Sequence, residues 1–480
     1  MRILLIVHRY LGIVIGLVMA LWCLSGFVMM YRGYPAVTPP QRIAGLKPLD
    51  LGGVARDPDL GPAPIEDFRI EMLADRPVLR LAAEDGRHAI DLRTGAPIER
   101  IGAAEAAAVA TRFAAAEGVA SDRSETEIIT HDQWTVEGAS RRGLLYRVAL
   151  GDPAGTVIYV ASRTGQVVQA TNRSSRFWAW LGAIPHWLYP HVLRQHAALW
   201  SQVVIWTSLT GIFLTLTGLY VGVSRLGRTK DGRWSPYRGW RFWHHMAGLF
   251  FGLFTLTWVT SGLLTMNPAG LLESSASERR QAALSGWIRP ADLQGFLAAA
   301  PHALSPGAVV LEAAPLGGRL FVTETFKDGR TVRLDGAGEP APLGRDEVAK
   351  ALAAAGDKVA DLRLMRTPDA YYYPDYDGPA PLPVWKATLA GPGGQVAYLD
   401  PISGQVRLSL DGEARASRWI RTGLHDLDFP GLRQRPVWDV VVLLLLAGVT
   451  TGAITGAWLG LKRLVWDLRR LSWRPGPRRS

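Results

Sequence analysis

The chain has 480 residues, of which 48% are hydrophobic and 18 are Trp, a composition that excludes a disordered chain, a collagen-like fibre and a coiled coil. The one cysteine, Cys23, excludes an intrachain disulfide, a zinc site built from cysteines and a cysteine-ligated iron–sulfur cluster. The formal net charge is +11. Because the excess basic residues are concentrated beside apolar runs, we expect a membrane protein and no nucleic-acid binding.

Four apolar stretches are each long enough to cross a bilayer, which takes about 20 residues. They predict transmembrane helices at residues 1–31, 197–223, 242–266 and 437–461. The first stretch is too long for the apolar core of a signal peptide, and no small-residue cleavage site follows it. We therefore expect it to be the first of four helices that span a lipid bilayer.

The basic residues indicate how these spans are oriented. Two arginines lie near the start of the first span, the loop 224–241 carries six Lys or Arg and one acid, and the tail 462–480 carries seven and one acid. The positive-inside rule places all three in the cytoplasm. The segments 32–196 and 267–436 then lie on the opposite side, which is the periplasm in a bacterium. The end of the first of these segments is expected to lie along the membrane surface.

The two outer segments share one order of elements. In each, a strand and a turn come first, an Ala-rich helix follows, and a further strand and turn come after it. Alternating apolar and polar residues indicate the strands, and Gly after Thr or Ser indicates the turns. The corresponding ranges are 88–95 and 331–338 for the first strand and turn, 103–117 and 346–355 for the helix, and 157–167 and 396–406 for the last strand and turn. This order predicts two small α+β domains.

The two halves of the chain are also related in sequence. A shift of 236 residues aligns the first span with the third and gives 8 identities in 23 positions, among them His8 with His244. A shift of 239 residues aligns the ends of the outer segments and gives 10 identities in 31 positions, among them His186 with His425. Since both halves have the same topology, we expect a pseudo-twofold axis along the membrane normal. Such an axis lets each histidine face its counterpart.

Two facing imidazoles in a helix bundle are suited to axial ligation of haem iron. The candidate ligand pairs are His8 with His244 at the cytoplasmic side and His186 with His425 at the outer side. With both axial positions filled, such an iron serves electron transfer rather than oxygen binding. For any single residue the alternative is an interfacial histidine beside lipid headgroups. Two pairs kept between diverged halves favour ligation.

Two further histidines are rival candidates for these ligand positions. His245 directly follows the cytoplasmic candidate, but its counterpart in the other half is Arg9. His196 begins the second span, but its counterpart is Arg435. The absence of a paired histidine disfavours both as primary ligands.

Glycines follow the cytoplasmic histidines along one helix face. Gly12 and Gly16 lie four and eight residues after His8, and the same spacing follows His244. Residues at this spacing share a face of the helix. The glycines either leave room for a flat macrocycle or allow close helix packing of the GxxxG type, and the sequence leaves both interpretations open.

Three strings resemble one protein family. They are His-Arg-Tyr-Leu-Gly at residues 8–12, Trp-His-His at residues 243–245, and the paired strands that end in Gly-Gln-Val. Together with the four-span layout they resemble the PepSY-associated transmembrane family over nearly the whole chain. The resemblance implies a membrane α-helical bundle of two pseudo-symmetric repeats with two periplasmic α+β PepSY-like domains. It also implies a multi-pass protein of the bacterial inner membrane with both termini in the cytoplasm.

The family resemblance also implies a function. Some members are haem-containing reductases of ferric siderophores, and others are fused to a flavin reductase module. The resemblance therefore implies a transmembrane oxidoreductase with two haem b groups that passes electrons to a ferric siderophore or another ferric chelate in iron uptake. Because this chain has no G-x-G-x-x-G string after a strand, the electron donor is expected to be quinol or a separate flavin reductase.

Two other functions are compatible with parts of the sequence. One is a PepSY-type binding or regulatory membrane protein without redox activity, an interpretation that leaves the paired histidines unexplained. The other is a transporter, but four spans are few for a substrate path and the first three contain no Asp or Glu. The Tyr-rich segment 369–377 is a candidate docking surface for a ferric chelate, although a packed loop is the favoured interpretation of it.

Overall fold

The structure, a computed structural model, describes residues 2–55, 58–84, 86–121, 123–137, 143–270, 272–374, 380–391 and 393–472. The described residues belong to two compact units. The helical unit consists of Met1–Tyr34, Arg176–Glu273 and Ala416–Ser480, and the sheet unit consists of Pro35–Ser175 and Ser274–Arg415. The end of the Tyr-rich segment (375–377) and the end of the basic tail (473–480) lie outside the described residues.

The helices, numbered along the chain, are α1 (Arg2–Met29), α2 (Pro39–Ala44), α3 (Ala103–Ala116), α4 (Arg173–Leu181), α5 (Ala183–His186), α6 (His191–Arg194), α7 (Ala197–Arg225), α8 (Trp240–Thr265), α9 (Ala276–Ser285), α10 (Pro290–Ala303), α11 (Arg345–Ala354), α12 (Gly412–Ser417), α13 (Leu424–Asp426) and α14 (Val437–Ser472). The strands are β1 (Ile65–Leu73), β2 (Arg76–Ala83), β3 (Gly86–Asp91), β4 (Glu125–Ile129), β5 (Leu145–Ala149), β6 (Val157–Ala161), β7 (Val167–Thr171), β8 (Ala308–Ala313), β9 (Phe321–Phe326), β10 (Thr331–Asp335), β11 (Val359–Met365), β12 (Val384–Leu389), β13 (Val396–Leu399) and β14 (Val406–Leu410). A 3-10 turn at Pro268–Gly270 and a π-helical turn at Arg418–Gly423 complete the helical segments of the described residues.

The helical unit is built on α1, α7, α8 and α14, which are the helices among the described residues that are long and apolar enough to cross a membrane. The shortest, α8, has 26 residues and is about 39 Å long, more than the roughly 30 Å of a bilayer core. Both α1 and α8 pack against α7 and α14. Small residues permit close approach, since a Cβ at Gly16 would lie 3.4 Å from the backbone of Ala457.

The last span is longer than the sequence predicts. The apolar run ends near residue 461, but α14 continues to Ser472. Arg463 and Asp467 form an ion pair at 2.9 Å one helical turn apart. The guanidinium groups of Arg463 and Arg470 lie 4.1 and 3.6 Å from the ring centre of Trp466. These side-chain contacts between successive turns stabilise a polar continuation of the helix.

The sheet unit contains a six-stranded sheet in the order β10-β9-β8-β1-β2-β3. Its two central strands come from different segments of the chain, and they pair antiparallel with Ile70 opposite Leu311. Phe68 from the first segment and Phe296 from the second have ring centres 6.4 Å apart. They belong to a core to which both segments contribute. The two segments therefore contribute to one compact unit.

Two four-stranded sheets flank this arrangement, in the orders β4-β5-β6-β7 and β11-β12-β13-β14. Helix α3 packs on the first and α11 contacts the second, and both helices lie where the Ala-rich runs predict them. In α3 the small residues Ala106 and Ala110 are fully buried, which allows the helix to lie close to the sheet. Strands and helices combined in this way confirm the α+β regions that the sequence predicts.

Candidate functional site

His8 and His244 approach each other inside the bundle. His8 lies in the second turn of α1, and His244 lies in the second turn of α8. Because both helices pack against the same two neighbours, the side chains meet across the bundle interior. Their ring centres are 6.2 Å apart and the ring planes make an angle of 33°. We call this the first histidine pair.

The ring of His8 is held by α7. Its Nδ1 lies 3.1 Å from the carbonyl oxygen of Leu214 and 3.3 Å from the hydroxyl oxygen of Thr217. A carbonyl oxygen only accepts hydrogen bonds, so Nδ1 carries the proton and donates it. The other nitrogen, Nε2, then carries the lone pair. This is the tautomer in which a metal-ligating histidine is usually held by its surroundings.

The ring of His244 is held by α14 in the same way. Its Nδ1 lies 3.0 Å from the carbonyl oxygen of Gly452 and 3.4 Å from the hydroxyl oxygen of Thr455. Both members of the pair therefore have Nε2 as the nitrogen with a free lone pair.

A second histidine pair, His186 with His425, lies near the opposite ends of α1 and α8. Its ring centres are 6.3 Å apart, with an angle of 60° between the planes. His186 lies on α5 and contacts α1, where its Nδ1 is 3.2 Å from the carbonyl oxygen of Trp22 and 3.1 Å from the hydroxyl oxygen of Ser25. This ring has the same tautomer as those of the first pair.

His425 lies on α13 and is held by α8. Its Nδ1 is 3.1 Å from the hydroxyl oxygen of Ser261, and its ring is hydrogen-bonded to the backbone of Trp258. The Ser261 hydroxyl itself donates to the Trp258 carbonyl at 3.1 Å. All four histidines thus have a hydroxyl at Nδ1, and the ring of each is hydrogen-bonded to the backbone.

The spacing of both pairs fits a metal ion between the rings. An imidazole nitrogen binds a metal at about 2.0 Å, and with the nitrogen roughly 1.15 Å from its ring centre two opposite imidazoles have ring centres about 6.3 Å apart. The observed separations are 6.2 and 6.3 Å. Two neutral imidazoles are the donors that fill the axial positions of haem iron. Both pairs therefore meet the distance criterion for two imidazoles that bind one iron through Nε2.

Glycines lie against the rings of the first pair. A Cβ at Gly218 would lie 2.7 Å from Cε1 of His8, and a Cβ at Gly456 would lie 2.8 Å from Cε1 of His244. Real Cβ contacts are not this short, so a side chain at either position displaces the imidazole. The identity of these two residues is therefore tied to the position of the rings.

The glycines singled out in the sequence divide into two groups. At Gly12 and Gly248, one turn beyond the first pair, an added Cβ would meet no described atom within 4 Å. At Gly16 and Gly252 it would meet Ala457 and Leu219 at 3.4 and 2.6 Å. Gly12 also takes part in helix packing, because a Cβ at Gly460 would lie 3.1 Å from its carbonyl oxygen. Close helix packing therefore accounts for Gly12, Gly16 and Gly252.

The rival histidines are not brought to either pair. Both ring nitrogens of His245 are bonded, Nδ1 to the hydroxyl of Ser235 at 2.8 Å and Nε2 to the carbonyl of Gly222 at 2.9 Å. His196 is exposed and precedes the first residue of α7. His245 thus stabilises the contact between the loop, α7 and α8, and His196 occupies the N-cap position of a helix.

Sequence reasoning missed the residues that hold the first pair. The string Thr-Gly-x-x-x-Gly occurs at residues 217–222 and again at 455–460. Its Thr bonds the imidazole and its first Gly lies against the ring in each case. A comparison of the second span with the fourth would have found this signal. Ser25 and Ser261 occupy equivalent positions in the two halves, at the same shift of 236 residues, but this identity alone indicates no role for them.

Comparison with known proteins agrees with the family resemblance that the sequence motifs indicate. No curated protein matches the sequence. The model of the PepSY-associated TM region matches residues 5–463, a range that includes all four paired histidines and most of both units. The chain therefore belongs to the PepSY-associated transmembrane family.

Proposed function

We propose that the protein is a haem-binding reductase of the bacterial inner membrane, which passes electrons across the membrane to a periplasmic ferric siderophore or another ferric chelate in iron uptake. The observation that carries the proposal is the geometry of the two histidine pairs. Each pair has the separation that bis-histidine ligation requires, and each ring is held with Nε2 available. When bound, haem supplies an iron that accepts and gives up one electron.

The depth of the two pairs supports a path across the membrane. On α1, His8 lies fourteen residues before Trp22, whose carbonyl holds His186. This separation corresponds to about 21 Å along the helix axis. The first pair would thus lie near the cytoplasmic side and the second near the periplasmic side, with both termini in the cytoplasm. Electron transfer across a bilayer needs cofactor sites at two depths of the membrane.

The four histidines would act as ligands and not as proton carriers. Each Nε2 would bind iron, and each Nδ1 would keep its proton on a carbonyl, so that the rings do not turn when the electron arrives. Because two histidines would hold each iron, the ferric chelate would take its electron without becoming a ligand of that iron. The hydroxyls of Thr217, Thr455, Ser25 and Ser261 would add a second acceptor at Nδ1 and raise the basicity of the ligands.

The number of electrons exchanged relates the electron donor to the ferric chelate. Each ferric chelate takes one electron and becomes ferrous, and ferrous iron is bound more weakly by hard oxygen ligands. A quinol donor gives up two electrons and two protons, so one quinol would serve two ferric chelates. The other candidate donor is a separate flavin reductase on the cytoplasmic side.

The first experiment is the visible spectrum of the purified, detergent-solubilised protein, oxidised and dithionite-reduced, with a pyridine haemochrome assay. We expect a sharp b-type α-band and about two haems per chain. Anaerobic addition of a ferric chelate to the reduced protein should bleach the α-band, while a ferrous-specific dye reports one ferrous ion per electron. A colourless protein, expressed with haem supplied, would instead support the PepSY-type binding or regulatory function without redox activity.

A further inference from the structure

The sheet unit contains a cavity of about 110 Å³ between the β1–β2 hairpin, helices α2 and α3, and the start of β7. Its wall is rich in arginine. The charged residues that line it are Arg42, Arg69, Arg80, Arg112 and Glu71. Four guanidinium groups therefore surround one carboxylate.

The register of the hairpin creates part of this excess of positive charge. Arg69 on β1 lies directly opposite Arg80 on β2, a cross-strand arrangement in which like charges repel. Glu71 lies between them, 2.7 Å from Nε of Arg69 and 2.8 Å from Nη1 of Arg80. Arg69 also pairs with Glu312 on β8. Even with both carboxylates counted, the cavity wall retains a positive excess.

Arg80 is buried in the wall of the cavity and is held there by backbone hydrogen bonds. It is 8% exposed, and its Nε and Nη2 donate to the carbonyl of Thr164 at 2.9 and 2.6 Å. Burial, the largest cause, lowers the pKa of this guanidinium, Glu71 raises it, and Arg69 lowers it further. A buried guanidinium that shares one carboxylate with a second arginine is stabilised by a further anion.

Arg42 and Arg112 lie on the helices at the rim. Arg112 on α3 donates one Nη1 bond to the carbonyl of Ala74 at 3.2 Å. Burial alone would raise the pKa of Glu71, but the guanidinium groups of Arg80, Arg69 and Arg42 outweigh it and the pKa is lowered. The field inside the cavity therefore favours negative charge.

The remaining wall of the cavity is apolar. Leu46, Val109, Phe113 and Val167 line it beside the arginines. A cavity of about 150 Å³ holds a benzene molecule, so 110 Å³ suits a chain of about four carbon atoms. An arginine presents two parallel N–H groups that match a carboxylate. We propose that this cavity binds a small organic carboxylate with a short apolar chain.

Isothermal titration calorimetry of the full-length protein in detergent tests the proposal with sodium butyrate as the probe. Butyrate should bind, and butyramide, its neutral isostere, should bind at least about tenfold more weakly, because a hydrogen bond to a charged group exceeds a neutral one by about this factor. Arg112→Gln and Arg42→Gln should each weaken butyrate binding by about tenfold or more. Arg100→Gln, on an exposed arginine of the same unit, should leave it unchanged.

Three results would overturn the proposal. The first is wild-type protein that does not bind butyrate, and the second is equal affinity for butyrate and butyramide. The third is binding of inorganic phosphate without butyrate, which would make the cavity a site for inorganic anions. Circular dichroism of Arg112→Gln separates loss of binding from loss of fold. Arg42 is exposed on α2, so Arg42→Gln is expected to keep the fold in any case.

Discussion

His186 and His425 face each other with ring centres 6.3 Å apart, although each lies on a helix of four residues or fewer. Helices this short do not hold a side chain by themselves. The long helices α1 and α8 position the rings instead, because the hydroxyls of Ser25 and Ser261 lie 3.1 Å from the two Nδ1 atoms. Both histidine pairs therefore depend on the same two membrane helices.

Removing one histidine should remove one haem. We expect His8→Ala to lose the haem of the first pair and His425→Ala to lose that of the second, with the other haem retained in each case. The double variant should lose both, as measured by the pyridine haemochrome assay. His196→Ala, at an exposed position, is the matched control and should keep two haems. A single substitution that removes both haems or neither would contradict the assignment.

The Thr217 hydroxyl should affect haem binding and reduction potential at the first histidine pair without being required for haem binding. In Thr217→Val a methyl group replaces the hydroxyl, while the Leu214 carbonyl, 3.1 Å from Nδ1 of His8, remains. We expect haem to be retained with an affinity lowered by about tenfold, the low end of the range for residues that hold a ligand, and a shifted reduction potential. Haem titration and potentiometry measure both.

The control for this change is Thr210→Val on the same helix, because the Thr210 hydroxyl bonds the Trp206 carbonyl of its own helix at 2.8 Å. It should leave affinity and potential unchanged. Equal effects of the two substitutions would show that Thr217 acts only on the helix.

Gly218→Ala should disturb His8 sterically. The added methyl group would lie 2.7 Å from Cε1 of the imidazole, and a packed interior does not accommodate such a contact without moving the ring. We expect haem affinity at the first site to fall at least tenfold. Gly295→Ala in α10, where nothing lies within 4 Å of the new methyl, should have no effect on haem content. Full occupancy in Gly218→Ala would show that the ring can lie elsewhere.

Glu71→Gln should destabilise the sheet unit. The substitution leaves Arg69 and Arg80 facing each other without their shared carboxylate, and breaking a buried ion pair on one side costs about 3–5 kcal/mol. The melting temperature should fall by about 6–20 °C, measured by thermal melting with protease susceptibility as the readout. Glu66→Gln, on an exposed residue of the same strand, should change stability by less than about 0.5 kcal/mol.

Lowering the pH should remove the stabilisation by Glu71 in the wild-type protein. Burial raises the pKa of Glu71, but Arg80 and Arg69 outweigh it and hold the pKa below its usual value of 4.5. A carboxylate with a lowered pKa stabilises the fold above its unfolded-state pKa and loses that contribution as pH falls through the folded-state value. The difference in stability between wild type and Glu71→Gln should therefore begin to shrink as the pH falls below the unfolded-state pKa of about 4.3. A difference that stays constant down to pH 2 would contradict the role of Glu71.

The sequence alone predicts the four membrane helices and the identity of the facing histidines. Apolar runs of 25 residues or more leave little choice of structure, and the alignment of the halves matches His8 with His244, whose ring centres lie 6.2 Å apart in the structure. The family membership is confirmed as well. These predictions succeed because they depend on long apolar runs and on residue identities that both halves share.

The pairing between segments could not be predicted in this way. Nothing local in Ile70 or Leu311 indicates that they lie opposite each other, since register between distant strands is set by the burial of a shared face. The engagement of His245 with Ser235 and Gly222 likewise depends on a loop conformation that has no periodic signal. Helix α14 exceeds its apolar run because side-chain contacts, not hydropathy, stabilise its last turns.

The pairing of β1 with β8 also sets an order of events during synthesis. Arg69 and Glu312 are opposite each other although 243 residues separate them. At about 5–20 residues per second, the ribosome delivers β8 roughly 10–50 s after β1. For that time β1 offers an open row of unpaired backbone groups, the kind of edge on which chains aggregate. A nascent first half therefore needs shielding until its counterpart emerges, and a chain truncated before Ala308 would keep that edge open permanently.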